Sequence, residues 1–162
     1  MVRVLPPATR FIFQGGAAAR AALHAGWGVP CAEAACRAHS REGRATLWLG
    51  PEEYLLWQSV RDVESALLTG LEHALASIPH SLVDVSHRQV ALQITGPQVE
   101  TLLNGACPLD LHIDAFPVDM CTRTVFAKAE IVLWRTSTDS FHLEVWRSFA
   151  PYVIALLAEI DA

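Results

Sequence analysis

The feature that most constrains the fold is an order of elements that occurs twice along the chain. In each half, an apolar run typical of a strand precedes a helical segment, a long irregular connection, a hairpin and a closing helix. The opening runs are Phe11–Phe13 and Val90–Ile94. Because a βαββα unit cannot cover both faces of its own sheet, two such units should pack together. The sequence therefore predicts an α+β fold of duplicated βαββα units in one domain, 1–162, with lobes at about 1–80 and 81–162.

Local signals predict where the helices of the first half begin and end. An alanine-rich segment favours a helix over Ala17–Ala25, and Gly26 follows it as a C-terminal cap. A second helix is expected from Asp62, a suitable N-cap, to Ile78, since Pro79 then stops it. Both helices belong to the expected first lobe.

The remaining segments are predicted from turn and capping residues. Ala32–His39 is expected to be a loop or a short helix, and Thr46–Trp57 a hairpin. In the second half, Thr95–Gln98 resembles a capping box, and strands are expected around the turn Thr136–Ser140. The last helix should have Ser148 as its N-cap and Pro151 in its first turn.

Charge and composition exclude several classes of protein. The formal net charge is −5, only 18% of residues are charged and 52% are apolar, so the chain can bury a core and should not be disordered. Lys128 is the one lysine, and the arginines are spread singly, which argues against a nucleic-acid or membrane-surface partner. No apolar run is long enough to span a bilayer and no secretory signal is apparent, so we expect a cytoplasmic protein with reduced cysteines.

Metal binding and nucleophilic catalysis are both poorly supported. The nearest approach to a zinc motif is Cys31-x4-Cys36-x2-His39, which lacks the closely spaced cysteine pairs of structural zinc sites. Asp84, Ser86 and His87 lie close in sequence, but Ser86 and His87 should point to opposite faces of a strand. No Gly-x-Ser-x-Gly elbow accompanies them. We therefore expect no catalytic, cofactor-binding or metal-binding residue in this chain.

Aromatic residues suggest a surface for another protein. There are five tryptophans, and four lie on the two expected hairpins, where core packing is the ordinary role. Trp146 departs from this pattern because it falls on the outward side of its strand, opposite to Phe141, Leu143 and Val145. An outward tryptophan is a candidate interface residue.

Nine short stretches occur in order along the chain. They are Leu47-Trp-Leu-Gly-Pro-Glu-Glu-Tyr-Leu-Leu56, Val83-Asp-Val-Ser-His-Arg88, Gly96-Pro97 with Leu102-Leu103, Cys107-Pro-Leu-Asp-Leu111, Phe116-Pro117, Cys121-Thr-Arg-Thr124, Lys128-Ala129, Leu133-Trp-Arg135 and Arg147-Ser-Phe-Ala150. Taken together, they resemble the gamma subunit of heterotetrameric sarcosine oxidase from about residue 5 to the C-terminus. The Asp-Val-Ser-His stretch followed by Gly-Pro is also similar to the aminomethyltransferase of the glycine cleavage system.

This resemblance implies a fold like part of the folate-binding aminomethyltransferases and a place beside alpha, beta and delta subunits. The complex of that family oxidatively demethylates sarcosine to glycine, with hydrogen peroxide as a product and the one-carbon unit passed to tetrahydrofolate. The resemblance assigns FAD, FMN, NAD, tetrahydrofolate and zinc to the partner subunits and none to gamma. The glycine-rich segment that carries the catalytic aspartate of the aminomethyltransferases has no match here.

The leading hypothesis is therefore a non-catalytic structural subunit of a sarcosine oxidase complex. Asp84, His87, Arg88 and Trp146 are the candidates for a partner contact or for shaping the turn in the shared motif. The alternatives are a stand-alone folate-binding or one-carbon transfer protein and a metal-binding module.

Overall fold

The computed structural model describes residues 1–61 and 66–161, and within them it has ten strands and four helices. The elements are β1 Val2–Val4, β2 Thr9–Gly15, α1 Ala17–Trp27, β3 Ala38–Arg41, β4 Arg44–Gly50, β5 Glu53–Gln58, α2 Ala66–Leu75, β6 His80–Asp84, β7 Gln89–Thr95, α3 Val99–Asn104, β8 Cys121–Phe126, β9 Ala129–Ser137, β10 Ser140–Trp146 and α4 Ala150–Ile160. The fold is α+β with antiparallel pairing throughout the described sheets. None of the described helices has the length and apolar character that crossing a membrane requires.

The first compact unit, Pro7–Ser86, is built on a five-stranded sheet in the order β3-β4-β5-β2-β6. Alternate apolar residues of β2 point to one face because side chains alternate along a strand. Phe11 and Phe13 from β2 are fully buried there with Leu23 and Trp27 of α1 and Leu71 of α2. This unit is called the N-terminal unit below.

The second compact unit consists of His87–Ala162 together with Met1–Pro6. Its sheet has the order β1-β7-β10-β9-β8, so the edge strand β1 comes from the other end of the chain. Leu92, Leu133 and Leu143 lie on one face of this sheet and are fully buried with Leu103 of α3 and Leu157 of α4. This unit is called the C-terminal unit below.

The two sheets have the same strand order when one is read from β6 and the other from β1. After that edge strand come the first, fourth, third and second of the unit's remaining strands, counted along the chain. Each unit has two strands more than the three of the predicted βαββα pattern. β3 and β8 lie between the first helix and the hairpin, and β6 and β1 are added at the opposite edges of the sheets. Part of Ala32–His39, predicted as loop or helix, belongs to β3. Edge strands such as these carry polar side chains on an exposed side, so the alternation that marks a strand in a sequence is weak.

The predicted C-terminal cap of α1 was wrong, and turn geometry explains why. The C-cap of α1 is Gly28, with φ 85° and its N–H bonded to His24 O, rather than Gly26. Gly26 instead allows close approach, since a Cβ there would lie 2.9 Å from Leu71 Cδ2. The expected start of α2 at Asp62 lies outside the described residues.

The two caps predicted in the second half are also corrected. Thr95 is the last residue of β7, and the N-cap of α3 is Gln98, without a side-chain capping bond. The N-cap of α4 is Phe149 instead of Ser148, while a proline does lie in its first turn. Because Phe149 has no side-chain oxygen, the first N–H groups of α4 have no cap from this residue.

A fully buried arginine fixes the long irregular connection between α3 and β8. The Arg135 guanidinium forms an ion pair with Glu100 and donates to the carbonyl oxygens of Leu111, at 3.1 Å, and Phe116, at 2.7 Å. It also donates to Thr138 O at 2.9 Å and lies 4.8 Å from the centroid of the Phe141 ring. A buried guanidinium is stable only when its charge and N–H groups have such partners. The Arg135 side chain therefore holds the connection between α3 and β8 in place, and the carbonyls of that connection in turn hold Arg135.

Two-residue turns join neighbouring strands, and three of them hold non-glycine residues in the left-handed region. Glu42 in the β3–β4 turn has φ 51°, Glu52 in the β4–β5 turn has φ 60°, and Ala127 in the β8–β9 turn has φ 50°. An L-residue with a Cβ pays a steric cost of roughly 1–2 kcal/mol in this conformation. The side chain of Ala127 is exposed, so it contributes no packing in return.

Replacing the buried arginine should therefore destabilise the protein. Arg135→Met would leave the Glu100 carboxylate and three main-chain carbonyls without this donor, and we expect a loss of about 3–5 kcal/mol in the free energy of unfolding by urea titration. Arg41→Met is the control, because the Arg41 side chain is 71% exposed and its loss should change stability by less than about 0.5 kcal/mol. Equal effects of both substitutions would contradict a structural role for Arg135.

Relieving the strained turn should stabilise the protein. Ala127→Gly should raise the free energy of unfolding by about 0.5–1 kcal/mol, because glycine adopts positive φ without the steric cost. The matched control is Ala21→Gly on the exposed side of α1, which should lower stability by about 1 kcal/mol. A loss of stability at both positions in chemical denaturation would refute the strain at Ala127.

Candidate functional site

The segment that carries the Asp-Val-Ser-His-Arg motif begins at the end of β6. Asp84 Oδ1 accepts a hydrogen bond from the Ser86 N–H at 2.7 Å, a local turn that short acidic side chains commonly make. The Ser86 hydroxyl accepts from the Arg10 N–H at 2.9 Å and donates to Arg10 O at 3.3 Å. Ser86 is almost fully buried by these contacts. Its proton is directed to a main-chain carbonyl, so the hydroxyl is not arranged as an activated nucleophile.

The next part of the motif meets the outward tryptophan. Residues 86–88 form a turn, after which Gln89 pairs with Trp146 in the antiparallel ladder between β7 and β10. The Arg88 Cζ atom lies 5.1 Å from the centroid of the Trp146 ring, within cation–π distance. The Arg147 N–H donates to Arg88 O at 2.9 Å, which holds the two chain segments together.

The four candidate residues thus fall into separate arrangements. Arg88 and Trp146 are in contact, whereas Asp84 interacts with the main chain of Ser86. His87 is exposed, and no hydrogen bond of its side chain occurs among the residues that the structure describes. The arrangement provides one stacked cation and one turn, and it does not assemble an acid, a base and a nucleophile.

Further aromatic residues that the sequence analysis did not select lie next to Trp146. Residues 146–149 are all exposed, and the Phe149 N–H donates to Trp146 O at 2.8 Å in the turn before α4. Tyr152 follows three residues later on the first turn of that helix, the spacing that places side chains on one side. The exposed fractions are 44% for Trp146, 44% for Phe149 and 39% for Tyr152. These three residues are called the aromatic patch below.

The cysteine and histidine motif of the first half does not form a metal site. No cluster of three or more histidine, cysteine and acidic residues able to hold a metal occurs in the described ranges. Burial raises the pKa of the Cys31 thiol to about 12, against a smaller lowering by the charge of Arg20. This raised pKa is typical of a thiol packed among apolar residues, where a cysteine behaves as a small hydrophobic side chain.

An open groove of about 510 Å³ occurs in the N-terminal unit at the C-terminal end of α1. The Arg44 side chain lines this groove and is held by two hydrogen bonds. Its Nη1 donates to Trp27 O at 2.9 Å, and its Nε donates to Gln58 Oε1 at 2.7 Å. The guanidinium also lies 5.2 Å from the centroid of the Trp27 ring. These contacts place Arg44 in a packing role, and the nearby helix carbonyls carry partial negative charge that disfavours an anion.

A buried acid–base pair was also missed by the sequence analysis. His142 Nε2 lies 2.8 Å from Glu144 Oε1, with side chains 6% and 0% exposed. Both residues lie on one side of β10 because they are two positions apart, and the His142 ring is 5.7 Å from that of Trp134. Alternation along the strand predicted their common side, but nothing local indicated that this side would be buried.

The sequence model of the Sarcosine oxidase, gamma subunit family matches residues 14–162. Sarcosine oxidase subunit gamma of Corynebacterium sp. (strain U-96) is 36% identical over 149 residues, which cover 91% of this chain and 70% of that protein. The chain spans less of two other relatives of the same name, 59% of the one from Corynebacterium sp. (strain P-1) and 62% of the one from an Arthrobacter species.

Solved structures agree with this relationship. A chain of the heterotetrameric sarcosine oxidase from Corynebacterium sp. U-96, determined in complex with pyrrole 2-carboxylate, matches with a TM-score of 0.89 and 31% identity over 100% of this chain and 85% of that one. Aminomethyltransferase T of the glycine cleavage system from Bartonella henselae matches with a TM-score of 0.67 at 12% identity, over 96% of this chain and 44% of that one, which shows a shared fold. The resemblance identified from the nine sequence stretches is confirmed, and the chain belongs to the sarcosine oxidase gamma subunit family.

Proposed function

We propose that this chain is a non-catalytic structural subunit of a heterotetrameric sarcosine oxidase, assembled in the cytoplasm with alpha, beta and delta subunits. In this proposal the whole complex demethylates sarcosine oxidatively to glycine and passes the one-carbon unit to tetrahydrofolate. The observation that carries the proposal is the match of residues 14–162 to the gamma subunit family. A chain of a heterotetrameric sarcosine oxidase also has nearly the same fold, with a TM-score of 0.89.

The chemistry of the candidate residues supports a structural role. The Ser86 hydroxyl is engaged with the main chain of Arg10, and the Cys31 thiol is held in its protonated form. In the proposal, FAD, FMN, NAD, tetrahydrofolate and zinc are held by the partner subunits. Asp84 and His87 shape the turn between β6 and β7, and Arg88 with Trp146 contacts a partner.

The domain and compartment assignments are part of the same proposal. The whole chain, 1–162, acts as one gamma-subunit domain with two lobes. The Cys31, Cys36 and Cys107 thiols are free, which suits a reducing compartment.

A second function is considered because the fold is shared with aminomethyltransferase T. A stand-alone folate-binding protein should show saturable quenching of tryptophan fluorescence when tetrahydrofolate is added. The structural-subunit proposal predicts no saturation with the isolated chain. Saturable quenching by the isolated chain would favour the folate-binding function, and the assembled complex serves as the positive control.

The main test is assembly. The chain should co-purify with co-expressed alpha, beta and delta subunits in equal amounts through affinity and size-exclusion chromatography. Omitting it should reduce the yield of intact complex, because the surfaces that it covers would be left exposed. Elution of this chain apart from the other subunits at every concentration would refute the proposal.

The purified complex also tests whether residues of this chain take part in catalysis. Ser86→Ala and His87→Ala should leave kcat for sarcosine-dependent hydrogen peroxide formation within about twofold of wild type, once the amount of assembled complex is matched, because neither side chain is placed to act on substrate. A loss of kcat of about 100-fold at equal assembly would assign a catalytic role to this chain instead.

A further inference from the structure

The composition of the aromatic patch is that of a protein-binding centre. Tryptophan, tyrosine and phenylalanine are enriched in interfaces because they bury large areas at a small cost in side-chain entropy. Here one residue of each type is exposed within a single seven-residue stretch. Elsewhere in the described chain the large exposed apolar residues are Met1 and scattered valines, such as Val60 and Val83 of the N-terminal unit.

The patch is ordered before any partner binds. Trp146 is the last residue of β10 and is paired with Gln89, and its ring is stacked with the Arg88 guanidinium. The bond from the Phe149 N–H to Trp146 O closes the turn that leads into α4. Little conformational entropy remains to be lost when this surface is covered, which favours binding.

The charged residues that adjoin Trp146 by contact or in sequence, Arg88 and Arg147, are positive in a chain of net charge −5. Arg88 lies against Trp146, and Arg147 is exposed beside it. Between Glu144, which is fully buried, and Glu159 the sequence contains no acidic residue. The first turn of α4 has neither an acidic residue nor a side-chain cap, so its N–H groups add to the positive potential.

We infer that the aromatic patch, with Arg88 and Arg147 at its rim, is the surface that docks a neighbouring subunit, and that the docked surface has an apolar centre bordered by aspartate or glutamate side chains. The inference rests on the proposed function for the existence of a partner. The partner's border is expected to be acidic because of charge complementarity. A basic or neutral partner surface would leave Arg88 and Arg147 without opposite charges on association.

The test titrates full-length variants against the co-purified partner subunits and follows binding by surface plasmon resonance. Trp146→Ser and Phe149→Ser should each weaken binding at least tenfold, because they remove apolar contact at the centre of the interface. Arg147→Glu should weaken binding at least tenfold through a slower association rate, and raising the salt from 50 to 500 mM should weaken wild-type binding much more than it weakens binding of this variant.

Two matched controls separate the patch from general effects. Val83→Ser removes an exposed apolar side chain from β6, and Lys128→Glu makes the same charge change in the exposed β8–β9 turn. Both should bind within about twofold of wild type. Thermal unfolding of every variant is measured to show that it is folded. If an aromatic variant fails to fold, Arg147→Glu still tests the surface, because Arg147 is exposed and its replacement should leave the fold intact.

The outcomes distinguish the inference from the proposed function. Normal binding of the Trp146, Phe149 and Arg147 variants to the partner subunits would overturn the docking surface and leave the structural-subunit role intact. Failure of the wild-type chain to bind would refute both. A dimer of the isolated chain in sedimentation velocity that Trp146→Ser dissociates would assign the patch to self-association and overturn the inference.

Discussion

The structure of the C-terminal unit depends on a charged side chain buried in its interior. Arg135 is fully buried, and its two terminal nitrogens bond to Glu100 and to three main-chain carbonyls. Two of those carbonyls, of Leu111 and Phe116, belong to a connection that has no helix or strand of its own between Asn104 and Cys121. A segment without repeating hydrogen bonds needs fixed donors, and this arginine supplies them, so Leu111 and Phe116 are held in the core beside the sheet.

Strong periodic patterns predicted the fold well, and contacts between distant residues explain where prediction failed. The hairpin strands β4 and β5 follow from two apolar runs around turn residues, and the closing helix α4 follows from helical spacing. The structure has all three where the sequence placed them. In contrast, β1 has three residues and exists because it pairs with β7, about ninety positions away. Likewise, α1 continues past Gly26 to Trp27, which is fully buried in the core of its unit, so the cap falls at Gly28.

The candidate site shows the same division. Trp146 is exposed as expected, but alternation along β10 does not explain this, because His142 and Glu144 on the same side of the strand are buried. Trp146 is exposed at the end of the strand, of which it is the last residue. Its stacking with Arg88 was not predictable, because the register between β7 and β10 decides which residues become neighbours. Phe149 and Tyr152 were missed because helical spacing alone cannot tell an aromatic residue on the buried side from one on the exposed side. The family resemblance identified the chain, whereas the tertiary structure identified the surface that we infer to be functional.

The pairing of β1 with β7 has a consequence for biosynthesis. Val2–Val4 are translated before their partners Leu92–Ile94, which are made only after the whole N-terminal unit. The Val2–Val4 segment must therefore stay unpaired while the N-terminal unit is synthesised. Completion of the second sheet is delayed by the same interval, because it joins segments that lie on either side of another compact unit.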